Sequence, residues 1–319
     1  MNHSSVTEFI LLGFSLSQDT HFYLFTIFLV IYVLTLMANV MIIILVYRDH
    51  HLHSPMYILL ANFSFLEICY TAVTVPKMLS DLIGGNTSIS VAGCITQYHF
   101  FSLCAATEHF LLVTMAYDRY VAICHPLHYG GIMSNAFCMK LILSCWLISA
   151  VSLTIPALSV SELIFCGPNI IDHFFCEFNP LLKLSCTDTY AVEIETFIFT
   201  SSVTLFPFLF VIGTYICIII TILKIPSSTG RWKTFSTCSS HLAAVCTYYG
   251  TLISVYVIPT HNFSNTVSKT LSLIYTVVTP MFNPIIYSLR NKNFKTGVQK
   301  CLRKCLIRKE RHLLSHFKP

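Results

Sequence analysis

The sequence predicts an all-α membrane protein, a bundle of seven transmembrane helices with the N-terminus outside and the C-terminus inside. Three observations predict it. Of 319 residues, 55% are hydrophobic and only 10% are charged, where an average soluble domain carries roughly 25% charge; the mean hydropathy is +0.71. The apolar residues fall into seven continuous runs, each near the roughly 20 residues a spanning helix needs and unlike the short alternating segments of a β-barrel. The basic residues are one-sided. Sixteen Lys and Arg fall on one side of this topology and three (Lys77, Lys183, Lys269) on the other, so the richer side is cytoplasmic by the positive-inside rule. This composition excludes soluble enzymes, disordered scaffolds and free nucleic-acid binders.

Residues 1–21 form the extracellular N-terminus. They lack a basic leader region, so the first helix is expected to act as an uncleaved insertion signal. Residues 22–289 form the seven-helix transmembrane domain. Its first helix, 22–46, carries no charge; the second, 57–80, carries Glu67 and Lys77. The third, 94–124, carries Glu108, His109 and Asp118. The fourth (140–160) and fifth (196–223) carry no charge after Lys140. The sixth, 233–259, has a short apolar stretch and is expected to begin near Lys233; the seventh covers 267–289. Residues 290–319 form a cytoplasmic amphipathic helix and basic tail. There Phe294, Val298 and Leu302 recur at helical spacing among basic residues, the pattern of a helix lying on the inner leaflet. Cys301 and Cys305 on that stretch are palmitoylation candidates.

The outer face carries glycosylation sequons at Asn2, Asn86 and Asn262. Asn2 is the strongest, because the other two sit in short loops close to the membrane. A fourth match at Asn62 falls inside the second helix and is set aside. Four cysteines also face the oxidising side: Cys94, Cys166, Cys176 and Cys186. An even number predicts two disulfides, with three pairings open. One bridge must tie the loop between helices four and five to Cys94.

Ionisable and amide groups inside a membrane are costly and point to function. Glu67 and Glu108 lie mid-way along helices two and three, and Asn39 and Asn283 lie at similar inner-half depth in helices one and seven, so the four could form one polar cluster. Two readings stand: a site for water or a small cation, with sodium as the candidate ion, or hydrogen-bonded glue between helices. His109 points to another face and reads as a packed helix histidine. Asp118, Arg119 and Tyr120 end the third helix. Their charges either snorkel to the interface or latch the cytoplasmic end of the bundle. Pro76, Pro156, Pro207, Pro259, Pro280 and Pro284 each predict a kink.

Four strings carry a resemblance. Residues 115–124 read MAYDRYVAIC, followed by HPLHY; residues 52–57 read LHSPMY; residues 233–241 read KTFSTCSSH; and residues 280–291 read PMFNPIIYSLRN. Together and in this order they resemble the vertebrate olfactory receptors of the tetrapod-type class II, a rhodopsin-like G-protein-coupled receptor family. The likeness runs from about Thr7 to about Cys301.

The resemblance implies an odorant receptor of the plasma membrane, in the cilia of sensory neurons. It implies bridges Cys94–Cys176, within HFFCE (173–177), and Cys166–Cys186. Asp118 and Arg119 would form the resting latch. Tyr120, Tyr215, Asn283, Pro284 and Tyr287 would belong to the activation and coupling machinery, with helix six swinging outward to admit a stimulatory olfactory-type Gα and raise cyclic AMP. The implied odorant pocket lies in the outer half, between helices three, five, six and seven. Helix three gives Phe101, Ser102, Ala105 and Ala106, and helix five gives Phe199 and Val203. Helix six gives Tyr249, Leu252, Ile253 and Tyr256, and helix seven gives Ser272 and Thr276. Such a lining suits small, mostly hydrophobic volatiles. Phe101 stands where amine receptors carry a carboxylate, so a charged amine is not the expected ligand. Partners implied are the odorant, the G protein, the lipid bilayer and trafficking chaperones, with no nucleic acid. No cofactor is required, sodium being the one candidate allosteric ion.

Departures from the family pattern are small: Ala38 before Asn39, Glu67 for the commoner Asp, Thr214 before Tyr215, and Thr234. A metal site on His173, Cys176 and Glu177 is not expected, because an oxidised cysteine offers no thiolate. A secondary transporter is disfavoured by unrepeated spans and few glycines, and an intramembrane enzyme by the lack of a catalytic motif in any span. A non-olfactory rhodopsin-like receptor would lack LHSPMY and KTFSTCSSH.

Overall fold

The computed structural model describes residues 6–14, 18–84, 87–256 and 265–290, with the side chains at 18, 237, 251–256, 265, 266, 268 and 287–290 not described. Asn2, Asn86, Asn262, Cys301, Cys305 and the helix expected after the seventh span lie outside the described residues, as do the side chains of Leu252, Ile253, Tyr256 and Tyr287.

Helix α1 (Gln18–Arg48) is followed by one 3-10 turn, His50–Leu52. Asp49 caps that turn, accepting from the His51 N–H at 3.1 Å. Helix α2 (Pro55–Gly84) opens on a proline, where the missing N–H would have had no helical partner anyway. Helix α3 (Val91–Cys124) opens under Ser90, whose hydroxyl accepts from the Gly93 N–H at 3.0 Å. A single turn, α4 (Tyr129–Ile132), leads to α5 (Asn135–Ser161), capped in the same way by Ser134. A short outer helix, α6 (Phe178–Leu182), precedes α7 (Tyr190–Leu223) and α8 (Ser228–Tyr256). The last span is α9 (Asn265–Leu273) and α10 (Thr279–Arg290), joined by a π-helical segment, Ile274–Val278.

The bundle therefore has α1, α2, α3, α5, α7, α8 and the α9–α10 pair as its seven spans. Helix α3 is its axis. In its most apolar stretch 61% of residues are buried, against 28% for α1 and α5, whose apolar side chains turn outward to lipid. The core runs down this axis through Leu111, Leu112 and Met115 of α3, Leu59, Phe63 and Leu66 of α2, and Ile218 of α7.

Prolines shape the seventh span. Pro284 lacks the N–H that would bond the Pro280 carbonyl four residues back. The Asn39 side-chain amide, on α1, donates to that carbonyl at 3.5 Å. The π segment precedes Pro280, and the Thr279 hydroxyl donates back to the Ile274 carbonyl at 3.1 Å.

A three-stranded sheet covers the outer end. Strand β1 (Glu8–Leu11) lies between β2 (Ser88–Ser90), antiparallel to it, and β3 (Ile170–Ile171), parallel to it. Side chains alternate along β1 as a half-buried strand requires. Phe9 and Leu11 are buried beside Cys94, Cys176 and Val160, while Glu8 and Ile10 face out. Gly13 then turns with φ +56°, so its N–H donates to the His173 carbonyl at 3.1 Å.

Candidate functional site

The outer loop between α5 and α7 is pinned twice. Cys94 at the head of α3 is bonded to Cys176, and Cys166 to Cys186. The Cys176 N–H also donates to Gln97 Oε1 at 2.9 Å, and the Gln97 amide donates to the Val73 carbonyl, shortly before Pro76 in α2, at 3.0 Å. The loop, α3 and α2 are thus one hydrogen-bonded unit. His173 and Phe175 sit beneath it, buried.

Lys269 clamps the lid to the seventh span. Its ammonium is buried and donates to the Gly13 carbonyl at 2.7 Å and to Asp172 Oδ1 at 2.5 Å. Glu177 is largely enclosed, its side chain 15% exposed, and accepts from the Tyr275 hydroxyl at 3.3 Å. Burial raises its carboxyl to about 7, the Tyr275 bond partly opposing this. Burial, with the Lys269 charge adding to it, lowers the His173 imidazole to about 4.

The residues assigned to an odorant pocket are placed unevenly. Phe101, Ala106, Val203, Tyr249, Ser272 and Thr276 are buried, and Ser102, Ala105 and Phe199 are half-buried. Phe101 lies under the lid, its ring 4.9 Å from Phe175 and 6.0 Å from Tyr275. Ala106 and Val203 form a separate cluster with Leu153 of α5, so the fourth span also contributes to this region. Tyr249 packs on His109 and Phe208. A shallow cavity of about 40 Å³ lies higher, between β1, α1 and α2, lined by Phe14, His21, Met78 and Asp81. It is far below the several hundred Å³ of a small-molecule site.

His109 is held as a packed histidine, its Nδ1 2.8 Å from the Tyr248 hydroxyl and 2.7 Å from the Ala105 carbonyl. The buried polar residues are only partly brought together. Asn283 donates to Glu67 Oε1 across α2 and α10, and Glu67 is near enough for its charge to act on Glu108. Asn39 instead spends its amide on the Thr35 and Pro280 carbonyls. Its Oδ1, Glu108 Oε1 and Asn283 Oδ1 are buried and find no hydrogen-bond partner among the described residues. Leaving such buried oxygens unpaired is costly.

The cytoplasmic end is a second constellation. Asp118 is fully buried. Arg119 donates to its Oδ2 through two nitrogens, Nη2 at 2.5 Å and Nε at 2.9 Å. The Tyr129 hydroxyl of α4 donates to Oδ1 at 2.8 Å. Burial, reinforced by the Asp118 charge, raises the Tyr129 phenol and keeps it a donor. Tyr120 pairs with His125 at 3.1 Å. Tyr215 of α7 stacks on His241 of α8 and lies 2.7 Å from its Nδ1, while His241 Nε2 lies 3.2 Å from the Leu112 carbonyl of α3. Arg119 is close enough for its charge to act on both Tyr215 and His241. Three spans meet at His241. Pro284 is buried in α10.

Sequence reasoning missed Tyr129, His241, Lys269 and Tyr275 as partners. Tyr129 and His241 close two of the four strings that carry the resemblance, which was the available signal. Lys269 and Tyr275 lie in no such string.

The family model described as olfactory receptor matches residues 28–305. Among curated relatives, the chain is 48% identical over 307 residues to human olfactory receptor 11L1, covering 96% of this chain and 95% of that one. It is 47% identical to human olfactory receptor 11H4 over 305 residues, 95% and 94% of the two chains. To olfactory receptor 1E5 of Pan troglodytes it is 44% identical over 303 residues, 95% and 96%.

Proposed function

The chain belongs to the olfactory receptor family, and from that premise we propose that it converts odorant binding in an outer-half pocket into activation of a stimulatory olfactory-type G protein, raising cyclic AMP. It is a multi-pass receptor of the plasma membrane and not an enzyme.

The observation that carries the coupling half is the buried Asp118–Arg119 pair beside Tyr215 and His241. A guanidinium that donates through two nitrogens to one oxygen of a buried carboxylate makes a strong, charge-assisted interaction. Arg119 also sits next to the α7–α8 contact that an outward movement of α8 would break. Release of Arg119 would therefore be linked to opening a cytoplasmic cleft, into which the C-terminal helix of Gα fits. Tyr120, Asn283, Pro284 and Tyr287 belong to the same proposed machinery.

For the ligand, Phe101, Ser102, Ala105, Ala106, Phe199, Val203, Tyr249, Ser272 and Thr276 remain the proposed lining, with Leu252, Ile253 and Tyr256 from the sixth span. Mostly apolar with a few hydroxyls, they favour small hydrophobic volatiles. Sodium held by Glu67, Glu108, Asn39 and Asn283 belongs to the proposal as an allosteric ion; it would neutralise the carboxylate pair and stiffen the resting bundle. Trafficking chaperones are proposed partners for delivery to the surface.

The test is a cyclic AMP assay in cells supplying an olfactory-type Gα and trafficking chaperones, with surface staining and a broad volatile panel. A response that Arg119→Ala abolishes at equal surface level is expected. A response retained by that variant would remove the latch from the mechanism.

A further inference from the structure

The outer end of the proposed pocket is finished by polar groups. The Phe101 ring adjoins Tyr275, and the Tyr275 hydroxyl donates to Glu177 Oε1 at 3.3 Å. That hydroxyl also lies 3.3 Å from Ser272 Oγ, on a fully buried residue already assigned to the pocket. On the other side, Glu177 Oε2 is 3.4 Å from His173 Nε2, and His173 is itself buried. A carboxyl, two hydroxyls and an imidazole thus converge beside an aromatic wall.

Glu177 is poorly served there. Donors to a carboxylate sit at about 2.5–2.9 Å when the bond is strong, and Tyr275 and His173 stand at 3.3 and 3.4 Å. Yet its side chain is only 15% exposed, so water supplies little. Lys269 is committed to Asp172 and the Gly13 carbonyl. The rise of the Glu177 carboxyl to about 7 agrees with this shortage of donors.

We propose that Glu177, with Tyr275 and Ser272, recognises the head group of the ligand, and that the ligand class is a small apolar molecule ending in a hydroxyl. The inference rests on the pocket reading above. A hydroxyl both donates and accepts, which matches a site whose members do both. Its O–H would complete the Glu177 carboxyl while its oxygen accepts from Tyr275 or Ser272. An ammonium only donates, and would have to be desolvated beside the Phe101 ring wall. An aldehyde or ether offers no donor and would leave the buried carboxyl short.

The experiment uses the full-length receptor in the cyclic AMP assay, with surface level measured. The probes are matched series on common carbon skeletons: alcohol, amine, aldehyde and methyl ether, alongside a broad volatile mixture. Alcohols are expected to be about ten- to a hundredfold more potent than the aldehyde or ether of the same skeleton, the range of a hydrogen bond to a charged group. Glu177→Leu should erase that preference, bringing the alcohol and the ether of one skeleton to similar potency. Should Glu177→Leu fail to reach the surface, Glu177→Gln carries the test, with alcohol potency falling by about tenfold. The proposal is overturned by a wild type that answers ethers as well as alcohols, by amines outranking alcohols, or by a preference that survives both substitutions. Silence to every alcohol with a live response to the mixture overturns it and leaves the receptor reading intact. Silence to everything at normal surface level counts against both.

Discussion

Asp118 has two oxygens and a different partner on each: Arg119 on Oδ2 and Tyr129 on Oδ1. The carboxylate is fully buried, so both bonds are needed to offset its desolvation. Tyr129→Phe removes one donor and leaves the packing nearly unchanged. The expected loss is about 1–2 kcal/mol from the resting arrangement, a shift of roughly five- to thirtyfold toward the active one. Basal cyclic AMP per surface receptor should rise accordingly; an unchanged basal output would take Tyr129 out of the latch. Glu177 gives a pH prediction at the same scale. Its carboxyl is raised to about 7 in the folded chain, so the folded state binds the proton more tightly. That contribution to stability is present below the unfolded value near 4.3 and is lost as pH rises to about 7. His173, lowered to about 4, works the other way, losing stability as pH falls below about 6.5. The Glu177 effect is therefore isolated by difference. Thermal midpoints of purified receptor from pH 5 to 8 should show Glu177→Gln gaining on wild type as pH rises. Parallel curves would mean that the Glu177 carboxyl does not titrate in that window.

At the scale of the element, the spans were legible because a bilayer imposes them. An apolar run of the right length with no charge, such as 22–46, leaves few alternatives to a helix. The helix caps were less legible. Ser90 and Ser134 each bond an N–H three residues on, but a serine before a hydrophobic run is common and the run itself does not mark the boundary. Asn39 shows a further limit. Its depth grouped it with Glu67 and Asn283, yet its amide serves a carbonyl that Pro284 leaves open. This arrangement predicts a coupling. Asn39→Leu should cost about 1 kcal/mol in the wild type, seen as a lower thermal midpoint. On a Pro284→Ala background the restored N–H can bond Pro280 within the helix, and the same Asn39 substitution should cost clearly less. Equal costs in the two backgrounds would show that the amide and the proline gap are independent.

At the scale of the molecule, the outer cap ties together segments far apart in the chain. Gly13 precedes the first span, Asp172 follows the fourth, and Lys269 opens the seventh. Pairs 97 and 256 residues apart leave no local pattern in a sequence, which is why Lys269 registered only as one of three outer cations. The cytoplasmic strings and the outer cysteines were legible by contrast, through whole motifs and through compartment. The clamp has a consequence for the whole receptor. Lys269 is buried, so removing Asp172 alone leaves an ammonium with the Gly13 carbonyl as its remaining acceptor in the clamp. Asp172→Ala should therefore lower the thermal midpoint and surface level more than Lys269→Met, which removes the buried charge with its partner's need and keeps most of the stem's apolar volume. The double variant should resemble Lys269→Met, because with the ammonium gone Asp172 is exposed enough to be solvated by water. Measured surface levels of the three variants decide it. If Asp172→Ala is the mildest of the three, the clamp is a surface pair of little weight, and the N-terminal strand is held by its pairing with β2 and β3.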